Sequence, residues 1–265
     1  MIEAIERLGR ATMLQASESL KLLSFLGAVL STIGMTVLRP RTLRIRALVA
    51  QMERTGLDAM PIVGLLTFLV GVVSAYQGAD QLARFGAQIF TVNIIGLGIL
   101  REMGVLITAI VVAGRSGSAF AAEIGTMRVN QEIDALETLG LDPLRVLVLP
   151  RVLGVTLAMP FLTFFANVMG IFGGAVMAAF TLDITLPQFA ERFQQTVPLQ
   201  ALWVGLVKAP LFAFLIGLVG CFQGMMVQGN AESVGRRTTT AVVQGVFMVI
   251  VADALLSVFF SIVGI

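Results

Sequence analysis

The sequence contains no histidine, a single cysteine and only two lysines among its 265 residues. The lack of histidine removes the commonest general base and a common metal ligand. One cysteine, Cys221, cannot form an intrachain disulfide or a thiolate cluster. Neither Lys21 nor Lys208 follows a glycine, so the chain has no G-x-x-x-x-G-K-[ST] loop for binding ATP. These absences argue against enzyme chemistry, although a mechanism based on a lone carboxylate stays open.

Charge is also scarce. Only 13% of the residues are charged and 57% are hydrophobic, whereas about a quarter of a soluble domain is charged. The net charge of +2 is too small to indicate a surface that binds nucleic acid. Composition therefore predicts an all-α polytopic membrane protein, because helices satisfy their own backbone hydrogen bonds in lipid.

Long apolar stretches divide the chain into segments that can each cross a bilayer, for which about 20 residues are needed. The five predicted spans cover residues 57–78, 89–114, 144–180, 199–227 and 239–265. Residues 1–38 precede them and begin as an amphipathic pattern, followed by an apolar run at 22–38. We interpret residues 1–38 as an interfacial helix along the membrane surface, with a true span over 22–38 as the alternative.

Arginine is distributed unevenly between the two sides of this arrangement. A basic cluster precedes the first span and comprises Arg39, Arg41, Arg44, Arg46 and Arg54. Four arginines fall within 115–151 and two within 228–238, against one each in 78–88 and 182–198. Because arginine accumulates in cytoplasmic loops, the basic segments are predicted to be cytoplasmic.

The longest polar interruption, residues 113–151, separates the second and third spans. Within it we predict one amphipathic helix over 119–139, since apolar side chains recur at helical spacing. Those apolar positions are Val129, Ile133, Leu136 and Leu139. Gly140 suits the residue that ends this helix, and Asp142-Pro143 suits the start of the next one. A helix held between two spans, with one face in water, is a docking element for a soluble partner.

Charged residues also occur inside the predicted spans. Lys208 and Asp253 lie at similar depth, and the cost of burying a charge in lipid predicts that they pair. Contact with a charged substrate is the alternative. Arg101 and Glu102 are adjacent, so they point about 100° apart and are not expected to face one neighbour. Arg101 suits an anionic headgroup, while pairing within the bundle is equally open.

Several of these stretches resemble one known family. The segment AGRSGSAFAAEIGTMRVNQEIDALETLGLDPLRVLVLPR at 113–151 is similar to the signature of the MlaE (YrbE) permeases, the membrane subunits of MCE-associated ABC lipid transporters. LREMG at 100–104, YQG at 76–78 and RRTTT at 236–240 are similar as well. The resemblance covers nearly the whole chain.

The resemblance implies a homodimeric permease in the bacterial inner membrane that moves phospholipid between the inner and outer membranes. It implies a cytoplasmic ABC ATPase that binds ATP and Mg²⁺, a STAS-domain subunit and a periplasmic MCE-domain protein as partners. The implied substrate-binding residues are Tyr76, Gln77, Arg101 and Glu102, and the implied intramembrane charges are Lys208 and Asp253. The implied ATPase-coupling residues are Glu123, Thr126, Arg128, Glu132, Asp134 and Glu137. A stand-alone secondary transporter and a scaffold without transport are the alternative classes.

Overall fold

The computed structural model describes residues 2–38, 44–181 and 184–264, and for residues 2–12, 14–16 and 37 it describes the backbone alone. Arg39, Arg41 and the amphipathic pattern predicted for the first residues therefore lie outside what it describes. Throughout the described ranges the regular structure is helical, as predicted. The helices are α1 (Ile2–Leu38), α2 (Ile45–Gly56), α3 (Met60–Ala83), α4 (Thr91–Gly98), α5 (Gly104–Val112), α6 (Ser118–Val129), α7 (Glu132–Thr138), α8 (Leu149–Thr181), α9 (Leu186–Thr196), α10 (Leu199–Met225) and α11 (Ala231–Val263).

Several of these helices join end to end into longer rods. A 3-10 turn, Leu57–Ala59, connects α2 to α3, and Pro61 is tolerated there because it lies in the first turn of α3. Two π-helical turns, Ile99–Met103 and Ala113–Gly117, connect α4, α5 and α6. A third, Leu144–Val148, leads into α8. Several helices extend beyond the predicted spans. The apolar stretch from which each span was predicted ends before the helical hydrogen bonding does.

Six stretches of the described residues are long and apolar enough to cross a membrane. Five correspond to the predicted spans, and the sixth is Ser17–Thr36 within α1. The main buried core lies where α5, α6, α8 and α10 meet, and it contains Val105, Ile124, Met159 and Phe212. The molecule is a multi-pass helical membrane protein.

Glycines let α3 and α8 approach until their backbones touch. A Cβ atom at Gly71 would collide with the carbonyl oxygen of Gly170, and one at Gly173 would collide with the carbonyl oxygen of Phe68. Small residues at such crossings allow close packing, which drives helix association in lipid, where burial of apolar surface contributes little.

Gly71→Ala is expected to lower the free energy of unfolding by about 1–3 kcal/mol, the usual cost of overpacking. The reason is that the added methyl group meets backbone, which cannot move aside alone. Thermal unfolding in detergent measures the change. Gly98→Ala is the matched control, since nothing lies within 4 Å of a Cβ atom there. Equal melting temperatures for the two variants would contradict this account of the α3–α8 contact.

Helix α1 crosses one end of the bundle. Glu18 pairs with Arg237 near the start of α11. The rings of Phe25 and Phe222 lie 5.6 Å apart near the end of α10. The sulfur of Met35 accepts a hydrogen bond from Arg145, just before α8. Residues 18 and 35 are about 25 Å apart along a helix. Because both touch the same end of the bundle, the contacts favour the interfacial interpretation of α1, which stays a prediction.

That end of the molecule, which we call the basic end, also carries the connections at 130–143 and 226–230. Its described basic residues are Lys21, Arg44, Arg46, Arg54, Arg115, Arg128, Arg145, Arg151, Arg236 and Arg237. Arg84 and Arg192 lie at the opposite end. The asymmetry has the sign expected if the basic end is cytoplasmic.

Candidate functional site

An ionic cluster lies inside the bundle where the second, fourth and fifth spans meet. The Lys208 ammonium is 2.5 Å from Glu102 Oε2 and 2.9 Å from Asp253 Oδ1, and it donates to Ser257 Oγ at 2.8 Å. Ser257 in turn lies 3.2 Å from both carboxylate oxygens of Glu102. Arg101 Nε is 3.5 Å from Glu102 Oε1. We call these five residues the intramembrane charge cluster.

The cluster lies deep in the bundle, and its formal charges balance. Glu102, Lys208 and Asp253 are each about 14–17 Å from the end of their helix remote from the basic end. Lys208 has no exposed surface, whereas the side chains of Asp253, Arg101 and Glu102 are 14%, 30% and 31% exposed. Two cations and two carboxylates offset one another, as intramembrane charges require. One side of the cluster is therefore accessible while the lysine at its centre is sealed.

Tight packing holds the lysine in place. A Cβ atom at Gly205, three residues before Lys208, would collide with the carbonyl oxygen of Leu100 in the π-helical turn. The widened turn carries Arg101 and Glu102. Turns of this kind are frequent at functional sites. The sequence therefore places a glycine where α10 must come close enough for Lys208 to reach Glu102.

The predicted pairing of Lys208 with Asp253 is present in the structure. Glu102 pairs with Lys208, and Arg101 lies beside Glu102. Pairing within the bundle, one of the two alternatives left open for Arg101, is therefore present. Both residues lie in the π-helical turn Ile99–Met103.

Tyr76 and Gln77, the other two implied substrate residues, are exposed on the part of α3 remote from the basic end. Ser74, two residues before Tyr76, lies beside the second span. Its hydroxyl is 4.0 Å from the sulfur of Met103. The structure thus places all four implied substrate residues on adjacent helices. Their role in binding substrate stays a prediction.

The polar stretch between the second and third spans differs from its prediction. The single helix over 119–139 is wrong: α6 continues the second span to Val129, and a separate α7 begins at Glu132. The break is at Gln131, whose φ of 59° is left-handed and incompatible with a continuing helix. Gly140 follows α7 with a φ of 71°, and Asp142 Oδ1 accepts from the backbone of Leu144 at 2.9 Å. The predicted end of one helix at Gly140 and the predicted start of the next at Asp142 are therefore confirmed.

Helix α7 is attached to the bundle by two apolar residues. Ile133 is fully buried in the main core and the half-buried Leu136 packs against that core, while Glu132, Asp134 and Glu137 are exposed. Leu139, just after the helix, is 74% exposed. An acidic face beside an exposed leucine, held on a buried anchor, is a surface suited to a soluble partner rather than to lipid.

The six residues implied in ATPase coupling divide into two groups. Arg128 pairs with Asp134 at 3.3 Å across the break between α6 and α7, and the Thr126 hydroxyl donates to its own helix. Glu123 is exposed but paired, and it lies 2.8 Å from Arg151 of α8 and 4.0 Å from Arg54 of α2. Glu123 therefore fixes α6 against its neighbours, whereas Glu132 and Glu137 remain available to a partner.

A second ionic contact supports the same junction. Arg115 lies 3.1 Å from Asp58 and donates to the backbone carbonyl of Arg54 at 2.9 Å. These groups surround a cavity of about 270 Å³ that also touches Glu123. Together with the contacts of Glu123, they join α2, the second span and α8.

Two parts of this arrangement were not foreseen from the sequence. Ser257 lies four residues after Asp253, on the same face of a helix, and that spacing was a usable signal. The contact between Glu102 and Lys208 is the second part, and the depth of Glu102 within its span was a usable signal for it. Among the described residues, no three His, Cys, Asp or Glu side chains come together as metal ligands would.

The chain was compared with known proteins. The profile of the family described as "Permease MlaE" matches residues 48–259. A "probable ABC transporter permease protein" of Rickettsia conorii is 35% identical over 226 residues, which cover 85% of this chain and 86% of that protein. A protein of the same description from Synechocystis is 37% identical over 207 residues, covering 78% and 79%.

The "intermembrane phospholipid transport system permease protein MlaE" of Haemophilus influenzae is 31% identical over 211 residues, covering 79% of this chain and 81% of that protein. The matched region includes all five predicted spans except the last residues of the fifth, and it includes α7 and the intramembrane charge cluster. A helical membrane protein with this coverage is a member of the matched family: the chain belongs to the MlaE permeases.

Proposed function

We propose that this chain is the membrane subunit of an ABC transporter that moves phospholipid between the inner and outer membranes. The intramembrane charge cluster carries the proposal, because it offers a guanidinium and a carboxylate at a partly exposed site deep within apolar helices. An amphiphile needs polar contacts for its headgroup and apolar walls for its chains. Arg101 would bind the lipid phosphate, and Tyr76 and Gln77 would contact the same molecule.

Two copies of the chain would enclose the lipid. Helix α11 exposes a long row of large apolar side chains on the bundle surface, and α3 exposes another. The row on α11 includes Val243, Ile250, Leu255 and Val258. Pairing of two copies along these faces would convert the exposed side of each charge cluster into part of a shared cavity.

Energy would come from outside the chain. A cytoplasmic ABC ATPase, which would bind the ATP and Mg²⁺, docks on the acidic face of α7 and moves it. The junction at Arg115 and Glu123 would carry that movement to the second and third spans. A STAS-domain subunit beside the ATPase and a periplasmic MCE-domain protein at the opposite end would complete the assembly in the inner membrane.

Transport of fluorescent phospholipid in proteoliposomes tests the proposal. Lipid transfer to acceptor vesicles that carry the MCE-domain protein should require the chain, the ATPase and ATP together. Transfer without the ATPase would indicate a stand-alone transporter. Absence of transfer from an intact assembly that hydrolyses ATP would indicate a scaffold, and either result would contradict the proposal.

A further inference from the structure

A cleft of about 730 Å³ opens between α1 and the basic ends of α10 and α11. This volume lies within the range typical of small-molecule sites. Its polar wall includes Lys21, Glu18 and Arg237, and its apolar wall includes Phe222 and Phe247. A second cavity of about 460 Å³ adjoins it on the other side of Lys21 and shares Phe222 with it. We call the larger cavity the α1 cleft.

Buried polar contacts hold the Arg237 guanidinium at the cleft wall. Its Nη1 donates to Glu18 at 3.0 Å and to Gln223 at 2.9 Å. Gln223 is fully buried and donates to Gln244 at 2.6 Å. Both bonds use Nη1, so with respect to the described side chains the Nη2 and Nε hydrogens of Arg237 are available to a ligand. The guanidinium is thus fixed in place before any ligand arrives.

Lys21 supplies a second cation at the same opening. Its side chain is exposed, and within the described part of the chain it has no ion-pair partner. Two cations and one carboxylate, Glu18, leave the cleft with one excess positive charge. That excess favours an anion with oxygen acceptors, which an arginine and a lysine bind together.

The apolar wall extends away from the charges along the direction of the spans. Phe247 is ten residues after Arg237 on α11, about 15 Å deeper along the helix. Phe247 is 66% exposed, so the cleft opens sideways onto the surface that faces the hydrocarbon. A site with cations at the basic end and apolar side chains below them has the shape of a phospholipid, with its headgroup at the interface.

We propose that the α1 cleft binds the headgroup of an anionic phospholipid from the leaflet at the basic end. The lipid phosphate lies between Lys21 and Arg237, and one acyl chain follows Phe222 and Phe247. Basic pockets between helices at this level are known to bind anionic headgroups. The bound lipid anchors α1 against α10 and α11. This site is separate from the intramembrane charge cluster and does not depend on lipid transport.

Native mass spectrometry of the full-length chain in detergent, without nucleotide or ATPase, tests the site. The chain is titrated with palmitoyl-oleoyl phosphatidylglycerol, with the corresponding phosphatidylcholine, and with inorganic phosphate. Lys21→Gln should weaken phosphatidylglycerol binding about five-fold, the effect of one cation near a membrane surface. Arg237→Gln should weaken it at least as much. Arg236→Gln is the matched control, since it removes the same charge from an exposed neighbour outside the cleft.

Binding that is unchanged by Lys21→Gln and Arg237→Gln would overturn the proposal. Equal affinity for phosphatidylcholine would also overturn it, as would full competition by millimolar inorganic phosphate, which would indicate a free-anion site. The same spectra report oligomeric state. A loss of dimer without a loss of lipid in Lys21→Gln would show instead that a second copy covers the cleft. Since the measurement involves no transport, its outcome is independent of the proposed function.

Discussion

Lys208→Ala is expected to lower the free energy of unfolding by about 3–5 kcal/mol, the range measured when one partner of a buried ion pair is removed. The lysine is fully buried and holds Glu102, Asp253 and Ser257 together. Its removal leaves two carboxylates against the single cation of Arg101. The melting temperature of the purified protein in detergent should therefore fall sharply.

The double variant Lys208→Ala/Asp253→Ala is the informative comparison. It restores charge balance, because Glu102 keeps its contact with Arg101 at 3.5 Å. The double variant should therefore be more stable than Lys208→Ala alone, although it lacks one more side chain. If the loss of unfolding free energy in the double variant equals the sum of the losses in Lys208→Ala and Asp253→Ala, the two residues are not coupled.

Glu132→Lys/Glu137→Lys is expected to reduce co-purification of the ATPase by about tenfold or more, since reversing charge at an interface commonly costs over 1.4 kcal/mol. Both carboxylates are exposed on α7 and have no structural ion pair among the described residues. Folding should be unaffected, because Ile133 still anchors the helix. The measurement is the amount of ATPase retained on the affinity-purified permease.

Two control variants make this result specific. Glu191→Lys makes the same type of substitution once, with half the charge change, on exposed α9 at the opposite end, and it should leave ATPase retention unchanged. Glu123→Lys should instead lower thermal stability, because it places a cation beside Arg151 and Arg54. Full retention of the ATPase by the α7 variant would remove α7 from the docking surface.

Much of the fold could be predicted because lipid imposes simple rules. The length of the apolar stretches identified the five spans. Lys208 and Asp253 could be paired because they lie at similar depth in antiparallel helices. The same depth argument applied to Glu102, but its contact with Lys208 was not inferred from it. Glu102 lies in the π-helical turn Ile99–Met103, so its direction differs from that in a regular α-helix.

The helix ends outside the spans were harder to predict. Nothing in the composition of residues 126–139 indicates a break, because the left-handed residue is Gln131 rather than glycine. Helix α9 was missed although a signal existed: Thr185 and Gln188 form a capping box, with Pro187 in the first turn. That pattern is short and weak beside the apolar spans.

In the proposed transporter, α7 faces the cytoplasm, where an ATPase can act on it. Labelling by a membrane-impermeant maleimide tests this directly, because the native Cys221 is fully buried and does not compete. Ala135→Cys on α7 should react in inside-out vesicles and stay protected in intact right-side-out vesicles. Gln194→Cys on α9, exposed at the opposite end, should show the reverse pattern. Reaction of Ala135→Cys from the outer side, or from neither side, would contradict the account.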